Sequence, residues 1–390
     1  METPLTPLDF ARRARKFHGA REAVVDGEVR FTYAEFCARC DAWAAGLRKL
    51  GVGRGDRVAT IAPNTHQHLE QFYAIPQCGA VIVPMNYRLS AEDFVYMTEH
   101  SGSKVLCAHS EHLDLIDGVR SRMPGVQHFV ALEGSRPGWL TYESLLEGGG
   151  SGAADVDGLS ESDLLAINYT SGTTSRPKGV MITHRNAWMN SVGTLTHWPM
   201  TPADRYLWTL PMFHANGWTF TWTVTAAAAA HVCLRKVDAA QIYALVNRER
   251  VTHLCAAPTV LIGIANGGEA PPGTCRSVSV CSAVSNTLFV SSSTNSGTPS
   301  LRSAIWSTTA SGSVLPETCT ISAIRSRRSR RFNASIVTRG WPAQGGWNSG
   351  RNVMTSSIFR SRARSMIMSS NSRDVASIQC ASSKIATTGC

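Results

Sequence analysis

The chain has 390 residues, enough for two or three domains or for one large α/β domain with a smaller companion. Its net charge of +10 comes from residues 275–390, which hold 13 Arg and 1 Lys against 1 Asp and 1 Glu, whereas residues 1–274 carry a net charge of −2. The main body therefore has no basic face for nucleic acid, and no apolar run reaches the ~18 residues of a membrane span.

The cysteines and the N-terminal residues indicate the cellular compartment in which the protein is expected. Eleven cysteines lack the regular spacing of a secreted disulfide framework, and METPLTPLDFARRARK lacks the apolar segment of a signal peptide. We therefore expect reduced thiols and a cytoplasmic protein. Cys37 and Cys40 have the spacing of a redox or metal pair. They lie within the helical pattern YAEFCARCDAWAAGLRKL, and no second pair is nearby. This context favours the interpretation that they are simply two small residues one helical turn apart, and not a redox or metal site.

Helix and strand signals alternate through the first part of the chain. A capping box at Thr32 opens a helix that ends near Leu50, before the strand RVATIA. Asn64 or Thr65 can cap the next helix, HQHLEQFYAIPQCG, which leads into the strand AVIVPMN. A second capping box at Ser90 opens AEDFVYMTEHSG, followed by the strand KVLCAH. This alternation predicts a mostly parallel sheet covered by helices on both faces.

A Gly-rich linker, EGGGSGAADVDG at 147–158, separates these units from a second series. There DLLAINYT predicts a strand, ITHRNAWMNSVGTL a helix capped by Thr183, and RYLWTLPMFHANGW a strand that runs into an aromatic turn. A buried helix in TFTWTVTAAAAA, a strand in HVCLRK, a helix in DAAQIYALVNRER and a strand in VTHLCAAP follow. The regular order stops near Gly268.

The composition changes abruptly at residue 275. Residues 275–390 hold 28 Ser, against 13 in residues 1–274, and they contain three Leu and no Tyr. Their apolar positions follow neither the strand period nor the helical period. Such a segment cannot bury enough surface to offset the cost of ordering it, so we predict an irregular Ser/Arg-rich tail.

The most informative stretch is YTSGTTSRPKGVMITHRN, residues 169–186. A polar loop between a strand and a helix presents backbone N–H groups and a helix dipole to an anion, which predicts a phosphate site. The small, hydroxyl, turn-forming and cationic residues of the loop are Ser171, Gly172, Thr173, Thr174, Pro177, Lys178 and Gly179. One alternative is a solvated surface loop. A Walker P-loop is excluded because its lysine follows a glycine, whereas Lys178 precedes Gly179.

YTSGTTSRPKGV resembles the phosphate-binding signature of the AMP-forming adenylating superfamily, which includes acyl-CoA synthetases, luciferases and the adenylation domains of peptide synthetases. Ser175 stands where many members have glycine. LPMFHANGW resembles the family's aromatic-His motif, and FTYAEF, GVGRGDRVATIAPN and GAVIVPMNYRLSAEDFVYMTEHSGSKVL resemble its N-terminal region. The resemblance covers about residues 8–270 and is strongest to acyl-CoA synthetases of short or medium carboxylic acids.

This resemblance implies a reaction in two steps. A carboxylate attacks the α-phosphorus of ATP to give an acyl-adenylate and pyrophosphate, and the thiol of coenzyme A then displaces AMP. The expected cofactors are therefore ATP, Mg²⁺ and, as co-substrate, coenzyme A. Mg²⁺ and preorganised donors are required because both steps spread negative charge over phosphate oxygens. The expected partners are small molecules, including the carboxylic acid, with no specific nucleic acid and no transmembrane segment. A homodimer is left open.

The resemblance also implies which residues bind the nucleotide. The β- and γ-phosphates would be held by Thr170, Ser171, Gly172, Thr173, Thr174, Lys178 and Gly179. Thr170 is the candidate ligand of Mg²⁺, and Lys178 is also a catalytic candidate.

The acyl site is assigned to the second motif. His214 would gate or position the acyl group and is the other catalytic candidate, with Asn216, Gly217 and Trp218 as substrate-binding residues near the pocket wall. The alternative for His214 is a core histidine in an aromatic turn. For Trp218 and Trp222, plain core packing is the alternative to substrate contact.

Three elements of the superfamily cannot be found after Cys275. They are a Tyr-Gly-x-Thr-Glu segment for adenine and Mg²⁺, a Thr-Gly-Asp segment for ribose, and a lysine on a mobile C-terminal domain. The tail has only Glu317 and Asp374 as acids and Lys384 as its lysine. Residues 1–274 are therefore interpreted as an incomplete adenylate-forming domain of doubly wound, mostly parallel α/β sheets, without the catalytic-lysine domain.

Two interpretations of residues 275–390 remain open. The first is a reading of the gene in the wrong frame or from the wrong strand, which would leave an acyl-CoA ligase that is truncated and inactive as written. The second is a functional basic tail, either an arm that binds RNA or the tail of a non-catalytic nucleotide-binding remnant that binds acidic partners.

Overall fold

The computed structural model describes residues 3–147, 158–170, 176–266, 278–282, 289–291, 318–324 and 333–338. Its strands form two sheets, of nine and seven strands, in which most neighbouring pairs are parallel. Helices lie between successive strands, which confirms the predicted α/β fold. No helix in the described part of the chain has both the length and the apolar character needed to cross a membrane.

The elements follow one another in a regular order. The helices are α1 Leu8–His18, α2 Tyr33–Lys49, α3 His66–Ala74, α4 Ala91–Ser101, α5 Leu113–Asp117, α6 Tyr142–Glu147, α7 His184–His197, α8 Phe220–Ala226, α9 Ala239–Arg248 and α10 Pro258–Asn266. The seven-stranded sheet contains β3 Arg57–Ile61, β4 Val81–Met85, β5 Ser103–Ala108, β6 His128–Ala131, β7 Leu140–Thr141, β8 Leu164–Thr170 and β9 Lys178–Thr183. The nine-stranded sheet contains β1 Glu22–Asp26, β2 Val29–Thr32, β10 Arg205–Leu207, β11 Ala230–Val232, β12 His253–Ala256, β13 Ser279–Ser282, β14 Phe289–Ser291, β15 Thr318–Ile324 and β16 Asn333–Thr338.

The helix starts that depend on local capping chemistry lie where the sequence predicts them. Thr32, Ser90 and Thr183 each close a capping box, in which their side chains accept a hydrogen bond from the backbone N–H three residues later. Thr65, rather than Asn64, caps α3. These bonds satisfy N–H groups that a helix cannot pair internally, so they fix where the four helices begin.

Helix α3 is buried over its whole length and contacts both sheets. His66 donates from its backbone N–H to Asp26 at the end of β1, at 3.1 Å, and Gln71 bonds Thr60 in β3. The Tyr73 hydroxyl donates to the carbonyl of Thr221 at 2.6 Å. These bonds pair part of the polar surface of the helix, whereas Gln67 Oε1, His68 Nε2 and Gln71 Nε2 have no hydrogen-bond partner among the described residues.

The structure corrects one prediction about the phosphate stretch. Lys178 and Gly179 do not lie in a loop before a helix, because they begin strand β9, which pairs antiparallel with β8. Val180, Ile182 and Thr183 are β-branched and favour an extended backbone, so a hairpin forms there. Helix α7 starts only at His184, and its N-terminal dipole therefore does not follow the loop directly.

The tail is regular in four places where the sequence predicts irregular structure. Strand β13 extends the sheet parallel to β12, and β14, β15 and β16 add to it in turn. Strands pair through backbone hydrogen bonds, which do not require apolar side chains to alternate along the strand. The composition of the tail therefore did not predict these four strands. The remaining positions of 275–390, apart from Val278, and the linker at 148–157 lie outside the described residues.

Candidate functional site

Both motifs lie at the carboxyl ends of strands, one in each sheet. Thr170 ends β8, whose neighbour β4 runs parallel to it, and the aromatic-His turn follows β10, which runs parallel to β11 and β12. Ligands of open α/β sheets bind outside the carboxyl ends of the strands. The topology therefore places the two predicted motifs where a ligand site is expected.

The first half of the site is the mouth of the β8–β9 hairpin. Thr170 and Lys178 pair across the two strands, and both are exposed. Thr170 offers a hydroxyl and Lys178 an ammonium group at the same opening, a donor set that fits phosphate oxygens. Ser171, Gly172, Thr173 and Thr174 lie outside the described residues.

Gly179 has a packing role in the same hairpin. A Cβ at this position would come within 2.8 Å of Ile167 Cγ2 and 3.6 Å of Tyr169 Cζ. The strands can approach this closely because glycine has no side chain. The glycine of the motif is thus required by the hairpin itself.

The second half of the site is the turn that follows β10. His214 is exposed, and its backbone N–H donates to the carbonyl of Pro211 at 3.1 Å. A core position for His214 is therefore excluded. Trp222 is fully buried and packs edge-on against Phe72, which favours core packing for that residue, while Trp218 is partly buried against the same core.

The backbone of this turn has the opposite hand to an α-helix. Five successive residues have positive φ, namely Ala215 at 42°, Asn216 at 50°, Gly217 at 59°, Trp218 at 59° and Thr219 at 62°. Asn216 is fully buried, and neither polar atom of its side chain has a hydrogen-bond partner among the described residues. We call residues 215–219 the left-handed turn.

Gly217 and Trp208 pack together beneath the left-handed turn. A Cβ at Gly217 would lie 2.4 Å from Trp208 Cζ3, so only glycine fits there. The Trp208 indole N–H donates to His231 Nδ1 at 3.2 Å, and His231 Nε2 lies 3.0 Å from the Thr225 hydroxyl. Burial lowers the pKa of His231 to about 3, so the ring is neutral and its Nε2–H donates to Thr225.

Two asparagine side chains hold the halves of the site together. Asn168 in β8 donates from Nδ2 to the carbonyl of Phe213 at 2.9 Å, so the strand of Thr170 is joined to the turn of His214. Asn64 follows β3 and donates to the carbonyls of Trp208, at 3.0 Å, and Leu210, at 2.8 Å. Its Oδ1 accepts from the Met212 N–H at 2.8 Å.

The joining role of these two asparagines is not apparent from the sequence. Asn64 lies just before a helix, where the sequence indicates only a possible cap, and Asn168 lies in an apolar strand. A polar side chain inside an apolar strand is the one signal that could have marked Asn168, because a buried amide requires partners. Nothing in the sequence indicates that its partner is Phe213.

The described residues contain no group of three or more His, Cys, Asp or Glu side chains arranged to hold a metal ion. Cys37 and Cys40 are buried free thiols, and burial raises the pKa of Cys37 to about 11. A phosphate-bound Mg²⁺ needs only one or two protein ligands, so the hydroxyl of Thr170 remains compatible with that role.

A cavity of about 260 Å³ lies elsewhere in the fold. It is lined by Arg21, Glu22, Pro202, Ala203, Asp204, Arg205 and Ala230. These residues begin or precede β1, β10 and β11, so the cavity opens at the amino ends of the strands. We assign the candidate site to the carboxyl ends instead, because both motifs meet there.

The chain has relatives among known proteins. The sequence model of the family described as AMP-binding enzyme matches residues 10–328. The 4-hydroxybutyrate–CoA ligase 2 of Metallosphaera sedula is 38% identical over 272 residues, which cover 67% of this chain and 49% of that protein. The chain thus spans about half the length of the curated relatives it matches.

Two solved structures have a similar fold. The inhibitor-bound N-terminal domain of FACL13 from Mycobacterium tuberculosis has a TM-score of 0.64 and 25% identity, covering 72% of this chain and 76% of that one. A fatty acyl CoA synthetase of Mycobacterium tuberculosis has a TM-score of 0.60 and 26% identity, covering 67% of this chain and 51% of that one.

Proposed function

The chain belongs to the AMP-binding enzyme family, and from this premise we propose that it derives from an ATP-dependent ligase that joins a carboxylic acid to coenzyme A. The observation that carries the proposal is the bond from Asn168 to the Phe213 carbonyl. This bond joins the strand that ends at Thr170 to the turn that contains His214. In the proposal ATP binds at Thr170 and Lys178 and the carboxylic acid binds at His214, and ATP and the acid are the two reactants of the first step.

The residues of the chain have distinct tasks in this proposal. The Lys178 ammonium and the Thr170 hydroxyl hold phosphate oxygens while pyrophosphate leaves, and residues 171–174 of the motif supply further donors. His214 positions the carboxylate, and Asn216, Gly217 and Trp218 line its pocket. The Thr170 hydroxyl would hold Mg²⁺, which would supply positive charge to neutralise the phosphates. Six buried cysteines, none of them in a disulfide within the described residues, support a reducing compartment, which we take to be the cytoplasm.

We further propose that residues 1–390 as written have little ligase activity. Residues 1–274 supply the phosphate and acid sites, while the adenine, ribose and C-terminal lysine elements have no counterpart in the sequence after residue 275. Loss of one preorganised donor costs about 10²–10³ in rate, and here several groups are affected together. Translating the source DNA in the other five frames tests the wrong-frame origin of the tail directly.

The biochemical test uses purified residues 1–390 with ATP, Mg²⁺ and carboxylic acids of two to twelve carbons. We expect ATP binding without appreciable pyrophosphate release. Lys178→Ala should weaken ATP binding about 10- to 150-fold, because one charge-assisted contact is worth about 1.5–3 kcal/mol. Lys49→Ala, an exposed lysine at the end of α2, is the matched control.

The outcomes separate the alternatives. Turnover at the rate of an ordinary ligase would contradict the truncated-enzyme proposal. ATP binding without turnover, in a chain whose DNA holds no missing motif in any frame, would favour a nucleotide-binding remnant. If Lys178→Ala and Lys49→Ala bind ATP with equal affinity, Lys178 does not contribute to ATP binding.

A further inference from the structure

Helix α4 contacts both sides of the mouth of the β8–β9 hairpin. The Tyr96 hydroxyl donates to the carbonyl of Pro177 at 3.2 Å, next to Lys178. His100 Nδ1 lies 2.8 Å from the hydroxyl of Tyr169, next to Thr170. Two side chains one helical turn apart thus reach the two strands that form the mouth of the hairpin.

The hydrogen bonds at Tyr169 form one consistent set. Its hydroxyl donates to the carbonyl of Met97 at 3.3 Å, and it can then accept from His100 when Nδ1 carries the proton. Burial raises the pKa of Tyr169 to about 12, so the hydroxyl keeps its proton at neutral pH. Both partners of Tyr169 belong to α4.

The aromatic rings reinforce these bonds. Tyr96 and His100 lie 5.3 Å apart between ring centroids, and His100 meets Tyr169 edge-on at 5.7 Å. The Arg176 guanidinium lies 5.1 Å from the centroid of the Tyr96 ring, so the residue before Pro177 also contacts the helix.

Helix α4 is itself firmly anchored. Its first turn is closed by the capping box of Ser90 and Asp93, and Phe94 and Met97 are buried in the core of the seven-stranded sheet. Side chains carried by such an element hold their contacts more closely than side chains on a surface loop.

We propose that Tyr96 and His100 are positioning residues that hold Thr170 and Lys178 at the separation that binds a triphosphate. The inference rests on the proposed function, because it assumes that this hairpin binds ATP. Holding the donors in place before the ligand arrives removes an ordering cost from binding. Neither side chain needs to touch the nucleotide for this effect.

The test measures ATP affinity and amide hydrogen exchange of the full chain. Tyr96→Phe keeps the ring and the contact with Arg176 but removes the bond to Pro177, and His100→Ala removes the bond to Tyr169. Each change should raise the dissociation constant for ATP about 3- to 10-fold, in line with one hydrogen bond each. Without ATP, amides at 168–170 and 178–180 should exchange faster in both variants.

Two control variants distinguish positioning from general stability. Glu99→Gln alters an exposed neighbour on α4 and should leave both readouts at their wild-type values. His100→Asn returns an N–H donor near the place of Nδ1 and should recover most of the affinity that His100→Ala loses.

Hydrogen exchange separates failure of this inference from failure of the proposed function. Exchange in Tyr96→Phe and His100→Ala as slow as in Glu99→Gln would overturn the inference whether or not the chain binds ATP. Faster exchange in a chain that does not bind ATP supports the α4 contacts and contradicts the proposed nucleotide site. Faster exchange with unchanged ATP affinity would overturn the positioning role.

Discussion

Gly179 lies so close to Ile167 across the β8–β9 hairpin that a Cβ would come within 2.8 Å of Ile167 Cγ2. The methyl group involved belongs to a β-branched side chain, which cannot easily rotate away. The glycine of the phosphate motif is thus fixed by hairpin packing as well as by any ligand.

Gly179→Ala should therefore destabilise the protein. The overpacking cost of about 1–3 kcal/mol exceeds the gain of about 0.5–1 kcal/mol from a stiffer unfolded chain. Gly193→Ala in α7 is the matched control, because a Cβ there meets open space and should raise the helix stability by up to about 1 kcal/mol. Thermal unfolding measures both changes, and adding Ile167→Ala should recover part of the loss in Gly179→Ala. No recovery would contradict a clash with Ile167.

Asn64→Ala should loosen the turn that carries His214. The change leaves the Met212 N–H and the carbonyls of Trp208 and Leu210 without their partner, and each buried unpaired group costs about 1–3 kcal/mol. Asn64→Asp keeps an acceptor for Met212 but loses the donor, so it should also destabilise the fold. Urea unfolding checks the result, and unchanged stability of Asn64→Ala would mean that water replaces the amide.

Acid should destabilise the protein between about pH 6.5 and about pH 4. Burial lowers the pKa of His68 and His184 to about 4 and that of His231 to about 3, whereas histidines of the unfolded chain keep values near 6.5. The unfolded state therefore binds more protons as the pH falls through this window. Each histidine then removes about 1.4 kcal/mol of stability per pH unit.

The pH prediction is checked by unfolding experiments from pH 7 to pH 4. His184→Gln should flatten the dependence of the unfolding free energy on pH, since one of the three groups is removed. His197→Gln, at an exposed position, is the control. A slope that His184→Gln leaves unchanged would contradict the assignment.

The predictable features of the fold are those encoded over a few residues. Thr32, Ser90 and Thr183 cap helices because the partner lies three positions away, and such pairs are visible in the sequence. The hairpin of β8 and β9 is not predictable because none of the six residues of its second strand is buried, so the strand shows no alternation of buried and exposed positions.

The motifs of the candidate site were predictable, but not the contacts that join them. Asn168 and Phe213 are 45 positions apart, and Tyr96 and Pro177 are 81 apart. Such contacts depend on how two sheets and a helix pack together, which no local pattern specifies. The roles assigned to Thr170, Lys178 and His214 stay predictions that the binding experiments address.

The left-handed turn has a consequence for stereochemistry. L-residues in this region cost roughly 1–2 kcal/mol each, so the four non-glycine residues of the turn hold on the order of 4–8 kcal/mol of conformational energy. The Trp208–Gly217 contact and the surrounding core hold the backbone in this conformation. A D-amino acid prefers the same region, and D-alanine in place of Ala215 should therefore stabilise the native backbone while leaving its shape unchanged.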